Sequence, residues 1–236
     1  DCFGAWIADG NRRDDAAVLY RSNAQSRVLE AALLQAEIPY RIYGGQRFYE
    51  RLEIKNALSY LRIMLNCHDD VAFERVVNVP PRGIGERTLE QIRILAREQS
   101  ASLWNAATTM VSEKRLAARA ANAVSTFIEL INEMSGQLDK LALVEQAENA
   151  IQRSGLIEMH RREKGERGQA RVENLEELVN ACRNFEPADS DAPVLPQFLD
   201  QVALDAGDRQ ADQDQDAVQL MTLHSAKGLE FPLVFI

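Results

Sequence analysis

Apolar positions near the start of the chain alternate between strand and helix spacing. Ala16–Tyr20 and Tyr40–Tyr43 are short apolar runs, each long enough for a buried strand. Between them, Ser22-Asn-Ala-Gln25 predicts a capping box that opens an amphipathic helix ending near Ala36. Because a strand, a helix and a strand within about thirty residues are typical of a βαβ unit, this segment predicts a parallel α/β sheet.

The middle of the chain has helical spacing throughout. Eight segments with this period predict helices, near 50–66, 70–78, 87–99, 101–109, 113–135, 140–153, 171–184 and 195–206. Strand character returns at 217–223 and 231–236. The pattern therefore predicts a mainly α chain, in which residues 45–212 form an inserted helical domain. Residues 1–44 and 213–236 are then two pieces of one α/β domain.

Composition places the chain among globular proteins, with 46% hydrophobic and 27% charged residues. No apolar run is long enough to cross a membrane, and the first residues lack the pattern of a signal peptide. Cys2, Cys67 and Cys182 lie far apart, which predicts three buried thiols in a reducing cytoplasm rather than a disulfide framework. His68 and His160 have no partners at ligand spacing, so no metal site is expected.

The net charge of −9 is concentrated in one segment. Residues 186–216 carry nine acidic groups against Arg209 alone, so the rest of the chain is close to neutral. Basic patches elsewhere in the chain can therefore still indicate nucleic-acid binding, despite the negative net charge. The clearest patch, residues 160–171, has five Lys or Arg side chains against two Glu. It is suited to touch duplex DNA or a partner, although a solvated charged loop is the commoner outcome.

Two loops carry candidate chemistry. The first, His224–Glu230, follows a predicted strand that ends in Thr222, which places polar groups at the carboxyl edge of a parallel sheet. Ligands bind at that edge in open α/β folds, although a simple turn with a glycine C-cap explains the same spacing.

The second loop is Gly83-Ile84-Gly85, which follows a proline pair and precedes a predicted helix start at Glu86–Thr88. Glycine backbone and a helix N-terminus suit a phosphate, and Arg82 and Arg87 supply charge. A glycine turn between two helices is the alternative.

The exact sequence of the first loop favours a binding role over a simple turn. MTLHSAKGLEF resembles the fifth motif of superfamily 1 DNA helicases of the UvrD type. The resemblance implies that Thr222 and His224 contact single-stranded DNA and that Glu230 contacts the ribose of the nucleotide.

The resemblance continues in LYRSNAQSRVLEAALLQAEIPYRIYGGQRFYERLEIKNALSYLR, which is similar to the second RecA-like domain where it leads into an inserted domain. It implies that Arg21 and Asn23 also face single-stranded DNA. A helix cap for Asn23 and a solvated strand end for Arg21 stay open as alternatives. Four aromatic residues of this stretch are interpreted as core rather than as base-stacking platforms: Tyr43, Phe48, Tyr49 and Tyr60.

The glycine hairpin is similar to the helix-hairpin-helix-like duplex-binding motif of the inserted domain in the same helicases. That resemblance implies contacts to the duplex backbone, insensitive to sequence, from six residues: Arg82, Gly83, Ile84, Gly85, Arg87 and Thr88.

Taken together, the resemblance implies a RecA-like (2A-type) α/β domain interrupted by a helical (2B-type) domain that rotates on hinges near Gly44-Gly45 and 208–216. The parent would be a cytoplasmic, ATP- and Mg²⁺-dependent 3′-to-5′ DNA helicase of repair, with single-stranded and duplex DNA and repair proteins as partners. No phosphate loop of the form G-x-x-x-x-G-K-[ST] occurs in the 236 residues.

We therefore expect the chain to be part of a longer motor, to need the N-terminal RecA-like domain of that protein, and to hydrolyse no ATP alone. The alternative is a non-catalytic module that docks protein partners.

Overall fold

The structure, a computed structural model, describes residues 2–207 and 215–236. Two compact units divide the chain. Unit 1 comprises Asp1–Arg51 and Gln201–Ile236, and unit 2 comprises Leu52–Asp200. The predicted boundary at 212 and most of the hinge predicted at 208–216 lie outside the described residues.

Unit 1 is built on a four-stranded parallel sheet. Its strands are β1 (Ala16–Tyr20), β2 (Tyr40–Ile42), β3 (Val218–Thr222) and β4 (Leu233–Phe235), in the order β2-β3-β1-β4. The sheet confirms the parallel α/β arrangement predicted from the apolar runs. Both strands from the end of the chain pair with β1, so the two sequence-distant pieces of unit 1 share one sheet.

Two helices accompany the sheet, α1 (Cys2–Ala8) and α2 (Ser26–Gln35). The predicted capping box is present before α2: Ser22 Oγ accepts from the N–H of Ala24, and Gln25 Oε1 accepts from the N–H of Ser22 (3.0 Å). A short 3₁₀ turn, Asn23–Gln25, separates the box from the helix. The core of this unit joins the strands through five buried side chains: Tyr20, Tyr40, Ile42, Val218 and Leu220.

Two aspartate carboxylates join the amino ends of β1 and β3, because each accepts a hydrogen bond from the backbone of the other segment. Asp14 Oδ1 accepts from the N–H of Ala217 (3.0 Å), and Asp216 Oδ1 accepts from the N–H of Asp14 (3.0 Å). Arg12 pairs with Asp14 (2.8 Å), and Arg13 pairs with Asp216 (3.6 Å). The hydrogen bond from Ala217, with Arg12 beside it, holds the pKa of Asp14 below its usual range.

Unit 2 is helical. Its helices are α3 (Leu52–Leu65), α4 (Asp70–Val76), α5 (Glu86–Gln99), α6 (Leu103–Ser112), α7 (Ala118–Ser135), α8 (Leu143–Arg153), α9 (Leu156–Arg161) and α10 (Glu166–Arg183), and α11 (Val194–Gly207) continues from unit 2 into unit 1. α3 packs against α4, α7, α8 and α10, because its apolar residues surround it rather than forming one stripe. Phe73, Trp104 and Phe127 add a cluster of edge-to-face rings to the core.

The basic patch is helical over most of its length, which corrects its interpretation as a solvated loop. α9 ends at Arg161, and α10 already begins at Glu166. Gly168 permits this tight reversal, because a Cβ there would lie 2.5 Å from the carbonyl oxygen of His160. Arg171 donates to Glu163 (2.6 Å), so its charge is paired.

The prediction of three buried thiols is confirmed for Cys182 and wrong for Cys67. Cys182 is buried as predicted, whereas Cys67 is partly exposed, because the segment after α3 lies at the surface; the side chain of Cys2 is not described. Across residues 2–207 and 215–236, no helix has the length and apolar character to cross a membrane. The same residues contain no cluster of three or more His, Cys, Asp or Glu side chains suited to a metal ion.

Candidate nucleic-acid interface

The carboxyl ends of β1 and β3 bring four predicted site residues to one edge of the sheet. Tyr20 stands opposite Thr222 in the parallel register, and the N–H of Leu223 donates to the carbonyl of Tyr20 (2.9 Å). Arg21 and Asn23 follow β1 at the same end of the sheet where Thr222 ends β3 and His224 follows it. Three of these side chains are exposed, and that of Thr222 is partly exposed. The sequence motifs that carry them are about 200 residues apart.

The loop after β3 is an ordered turn. Thr222 Oγ1 lies 2.9 Å from Ser225 Oγ and accepts from the N–H of Ser225 (3.2 Å). The N–H of Ala226 donates to the carbonyl of Thr222 (3.1 Å), and the turn continues to Gly228. The loop is thus both a hydrogen-bonded turn and a carrier of polar side chains. Thr222 shapes the turn, and His224 projects from it into solvent.

β2 contributes an aromatic side chain to the same region. The N–H of Tyr43 donates to the carbonyl of Leu220 in β3 (2.8 Å), which extends the β2–β3 pairing by one residue. Tyr43 is 48% exposed, so its interpretation as core is wrong, whereas Phe48 and Tyr60 are fully buried as predicted and Tyr49 is partly buried. Strand alternation was the signal that could have found Tyr43, because Ile42 before it points into the core.

Glu230 lies in a different setting from the edge residues. It is exposed and follows the turn, in the segment that connects β3 to β4. Because β4 begins at Leu233 opposite Ala16, this segment runs from the carboxyl end of the sheet back to its amino end.

The glycine hairpin of unit 2 lies between α4 and α5 and is held by one side chain. Asn78 Oδ1 accepts from the backbone N–H groups of Arg82 (2.7 Å) and Ile84 (3.3 Å). Gly83 has φ +81°, which favours glycine. Gly85 is the N-cap of α5, and its carbonyl accepts from Thr88 and Leu89.

Arg82 is engaged inside unit 2. Its Nη1 donates to the carbonyls of Pro80 (2.9 Å) and Val76 (3.3 Å), and its Nη2 donates to Tyr60 Oη (2.7 Å) and to the carbonyl of Ser154 (3.0 Å). The guanidinium also stacks over the rings of Tyr60 and Phe127, at 5.8 and 5.5 Å. Burial raises the pKa of Tyr60 to about 12, so its hydroxyl stays protonated at neutral pH. Through these contacts, Arg82 stabilises the base of the hairpin from inside unit 2.

The remaining residues of the predicted duplex motif divide by exposure. Ile84 is fully buried and Thr88 is 9% exposed, so their side chains support the hairpin from within. Gly83, Gly85 and Arg87 are exposed. Beside them, the carboxylate of Glu86 is paired with Arg93, which also binds Glu74 and Glu90. The surface that the hairpin offers is therefore two glycines, the first turn of α5 and the charge of Arg87.

Comparisons with known proteins show which family the chain belongs to. A family model described as the UvrD-like helicase C-terminal domain matches residues 5–236. The chain is 56% identical over 233 residues to DNA helicase II of Escherichia coli, and 52% identical over 233 residues to DNA helicase II of Haemophilus influenzae. It is 42% identical over 234 residues to the ATP-dependent DNA helicase PcrA of Bacillus subtilis.

These matches cover 98% of the chain for the Escherichia coli and Haemophilus influenzae proteins and 96% for the Bacillus subtilis protein. The chain spans only 32% of the length of either DNA helicase II and 31% of that of PcrA. The match from residue 5 to residue 236 includes the strand-edge loop and the glycine hairpin, and the chain therefore belongs to the UvrD-like helicase C-terminal domain family.

Proposed function

We propose that this chain is the DNA-contacting part of a longer ATP-dependent DNA helicase. Unit 1 belongs to a second RecA-like domain that contacts single-stranded DNA, and unit 2 is its inserted domain that grips duplex DNA. The single observation that carries the proposal is the meeting of Arg21, Asn23, Thr222 and His224 at one sheet edge. Thr222 also shapes its turn, whereas Arg21, Asn23 and His224 are exposed polar residues from two distant motifs at the same end of the sheet.

The chemistry of this edge suits a single strand. The guanidinium of Arg21 supplies charge for a phosphate, and the amide of Asn23 and hydroxyl of Thr222 supply hydrogen bonds to phosphate or sugar. The half-exposed ring of Tyr43 and the imidazole of His224 supply flat surfaces on which bases stack without regard to sequence.

The hairpin suits duplex backbone rather than bases. Gly83 and Gly85 allow close approach of the chain, and the first turn of α5 directs N–H groups outward. Arg87 adds one exposed positive charge. Contacts of this kind position a duplex but read no sequence.

Nucleotide chemistry belongs mainly to the rest of the motor. One relative named above is an ATP-dependent DNA helicase, and the exposed carboxylate of Glu230 is suited to accept hydrogen bonds from a ribose. ATP and Mg²⁺ require a phosphate loop that the 236 residues lack. The chain alone therefore hydrolyses no ATP. The parent protein pairs this chain with an N-terminal RecA-like domain, and it acts as a cytoplasmic 3′-to-5′ helicase of repair that binds repair proteins.

Rotation of unit 2 on the proposed hinges regulates unwinding. The contacts of unit 1 extend through Arg51, past the glycine pair at 44–45, because Phe48 and Arg51 are bonded to α2. We therefore move the proposed hinge on this side from Gly44-Gly45 to a position after Arg51.

The experiment that tests the proposal measures two affinities in the full-length protein. We expect His224→Ala and Asn23→Ala to weaken binding of an oligo-dT strand and to leave binding of a blunt duplex unchanged. Arg87→Ala is the matched variant in unit 2 and should do the reverse. If His224→Ala and Asn23→Ala leave oligo-dT binding unchanged, the single-strand site at the edge of unit 1 is refuted.

A protein-docking role for unit 2 is the alternative, and one observation favours it. A groove of about 680 Å³ in unit 2 is lined by exposed apolar side chains, Leu52 and Val71, together with Met159. Salt-sensitive duplex binding that depends on Arg87 supports the DNA function. Duplex binding that is absent, or that Arg87→Ala leaves unchanged, supports docking.

A further inference from the structure

Arg51 holds the backbone of the turn that presents Asn23. Its Nη1 donates to the carbonyl of Asn23 (2.7 Å), its Nη2 donates to Ser26 Oγ (2.7 Å), and its Nε donates to the carbonyl of Gln46 (3.3 Å). The guanidinium lies over the ring of Phe48, 5.4 Å from its centroid. Arg51 is only 8% exposed, so these bonds are shielded from water.

A buried carboxylate fixes the hydroxyl that Arg51 uses. Ser26 Oγ donates to Glu30 Oε1 (2.7 Å), which leaves the oxygen of Ser26 to accept from Arg51. The N–H of Phe48 donates to both oxygens of Glu30 (3.2 Å each), and Arg47 Nε lies 3.8 Å from Glu30 Oε2. Burial raises the pKa of Glu30, because its ionised form loses hydration in this place.

The network does more than cap a helix. Ser22 and Gln25 already form the capping box before α2, so the bond from Arg51 is additional to it. Three donors in a fixed planar arrangement reach three oxygens on separate parts of the chain, which a lysine ammonium does not reproduce. Arg51 is also the residue directly before α3, the first helix of unit 2.

We propose that Arg51 is a positioning residue for single-stranded DNA binding, acting through Asn23. By fixing the carbonyl of Asn23 it sets the turn after β1, and hence where the amide of Asn23 meets the strand. It thereby links the segment that enters unit 2 to the DNA-contacting edge of unit 1. This inference rests on the proposed function, specifically on contact between Asn23 and single-stranded DNA.

A double-mutant cycle in the full-length protein tests the inference. Binding of oligo-dT is measured at fixed salt for Asn23→Ala, Arg51→Gln and the double variant. We expect each single change to weaken binding by about five- to tenfold, the value of one ordinary hydrogen bond. We expect the double variant to bind no more weakly than either single variant. Losses that multiply, or an Arg51→Gln variant within about twofold of wild type, would overturn the inference.

A matched variant separates positioning from stability. Arg47 is a second buried arginine of the same network, 5% exposed, and it contacts Glu30 and the carbonyl of Asp205. Arg47→Gln should lower the unfolding temperature about as much as Arg51→Gln and should weaken oligo-dT binding less. Equal weakening by both variants assigns the effect to stability and overturns the inference.

Failure of the underlying function gives a different pattern. If Asn23→Ala leaves oligo-dT binding unchanged, the proposed contact of Asn23 is refuted, and the inference with it. If Asn23→Ala weakens binding and Arg51→Gln does not, the contact stands and only the positioning role of Arg51 is refuted.

Discussion

Tyr20 and Thr222 stand opposite each other in adjacent parallel strands, although they are about 200 residues apart in the sequence. This pairing decides which side chains follow at the edge, since the chain passes directly from them to Arg21 and Leu223. A shift of one residue in register turns every following side chain to the other face of the sheet. The geometry of the proposed single-strand site therefore depends on this one alignment.

The two arginines at the hairpin should behave differently when replaced. Arg87→Ala removes an exposed charge, so we expect unchanged stability, weaker duplex binding and a salt dependence reduced by about one counterion. Arg82→Ala leaves buried acceptors without a donor and should destabilise unit 2 by roughly 2–4 kcal/mol. Thermal unfolding and duplex titrations at several salt concentrations measure both effects. Equal stability of the two variants would contradict the structural role of Arg82.

Thr222 should tolerate serine and resist valine. Its hydroxyl accepts from the N–H of Ser225 and shapes the turn that carries His224. Thr222→Ser keeps this oxygen and should bind oligo-dT within about twofold of wild type. Thr222→Val keeps the shape but loses the oxygen, and we expect about tenfold weaker binding. If valine is tolerated as well as serine, neither the turn nor the strand uses the hydroxyl.

The ring of Tyr43 should stack on a base. Tyr43→Ala is expected to weaken oligo-dT binding by about tenfold, while Tyr43→Phe retains the ring and the affinity. Because Tyr43 is half exposed, neither change should alter the unfolding temperature by more than a few degrees. Fluorescence anisotropy with labelled oligo-dT measures the binding. A phenylalanine variant as weak as the alanine variant would assign the effect to the hydroxyl instead.

Asp14 should make the stability of unit 1 sensitive to acid. Its pKa is depressed in the folded chain, so its contribution is present above the ordinary pKa of about 3.9 and is lost as the pH falls through the folded value. Asp14→Asn should cost about 1 kcal/mol at pH 7, discounted for partial exposure, and less at pH 3, below the ordinary pKa. Urea unfolding at the two pH values checks this. A difference that is the same at both would show that the charge of Asp14 is irrelevant.

Glu230 should affect nucleotide binding alone. In the full-length protein we expect Glu230→Gln to raise the KM for ATP by about tenfold and to leave oligo-dT affinity unchanged. His224→Ala is the complementary control, with weaker oligo-dT binding and an unchanged KM for ATP under saturating DNA. The 236-residue chain alone should show no ATP turnover above a mock preparation.

Periodicity predicted most of the secondary structure, but not how each polar side chain is used. The helices and the capping box at Ser22 follow from local pattern, because their hydrogen bonds are made within a few residues, whereas the strands follow from their apolar runs alone. Arg82 and Arg87 are equivalent by spacing, and only the positions of Tyr60 and Ser154 give Arg82 its internal partners. Tyr43 differs from these, since alternation from the buried Ile42 already indicates that its side chain points away from the core.

The strand order has a consequence for biosynthesis. β3 lies between β2 and β1, so the early segment Asp1–Arg51 holds two strands that do not pair with each other. During N-to-C translation, every helix that lies wholly within unit 2 is made before the strand that joins β1 to β2 leaves the ribosome. The nascent chain therefore carries two unpaired strands, whose open edges are prone to wrong pairing, until β3 and β4 are made.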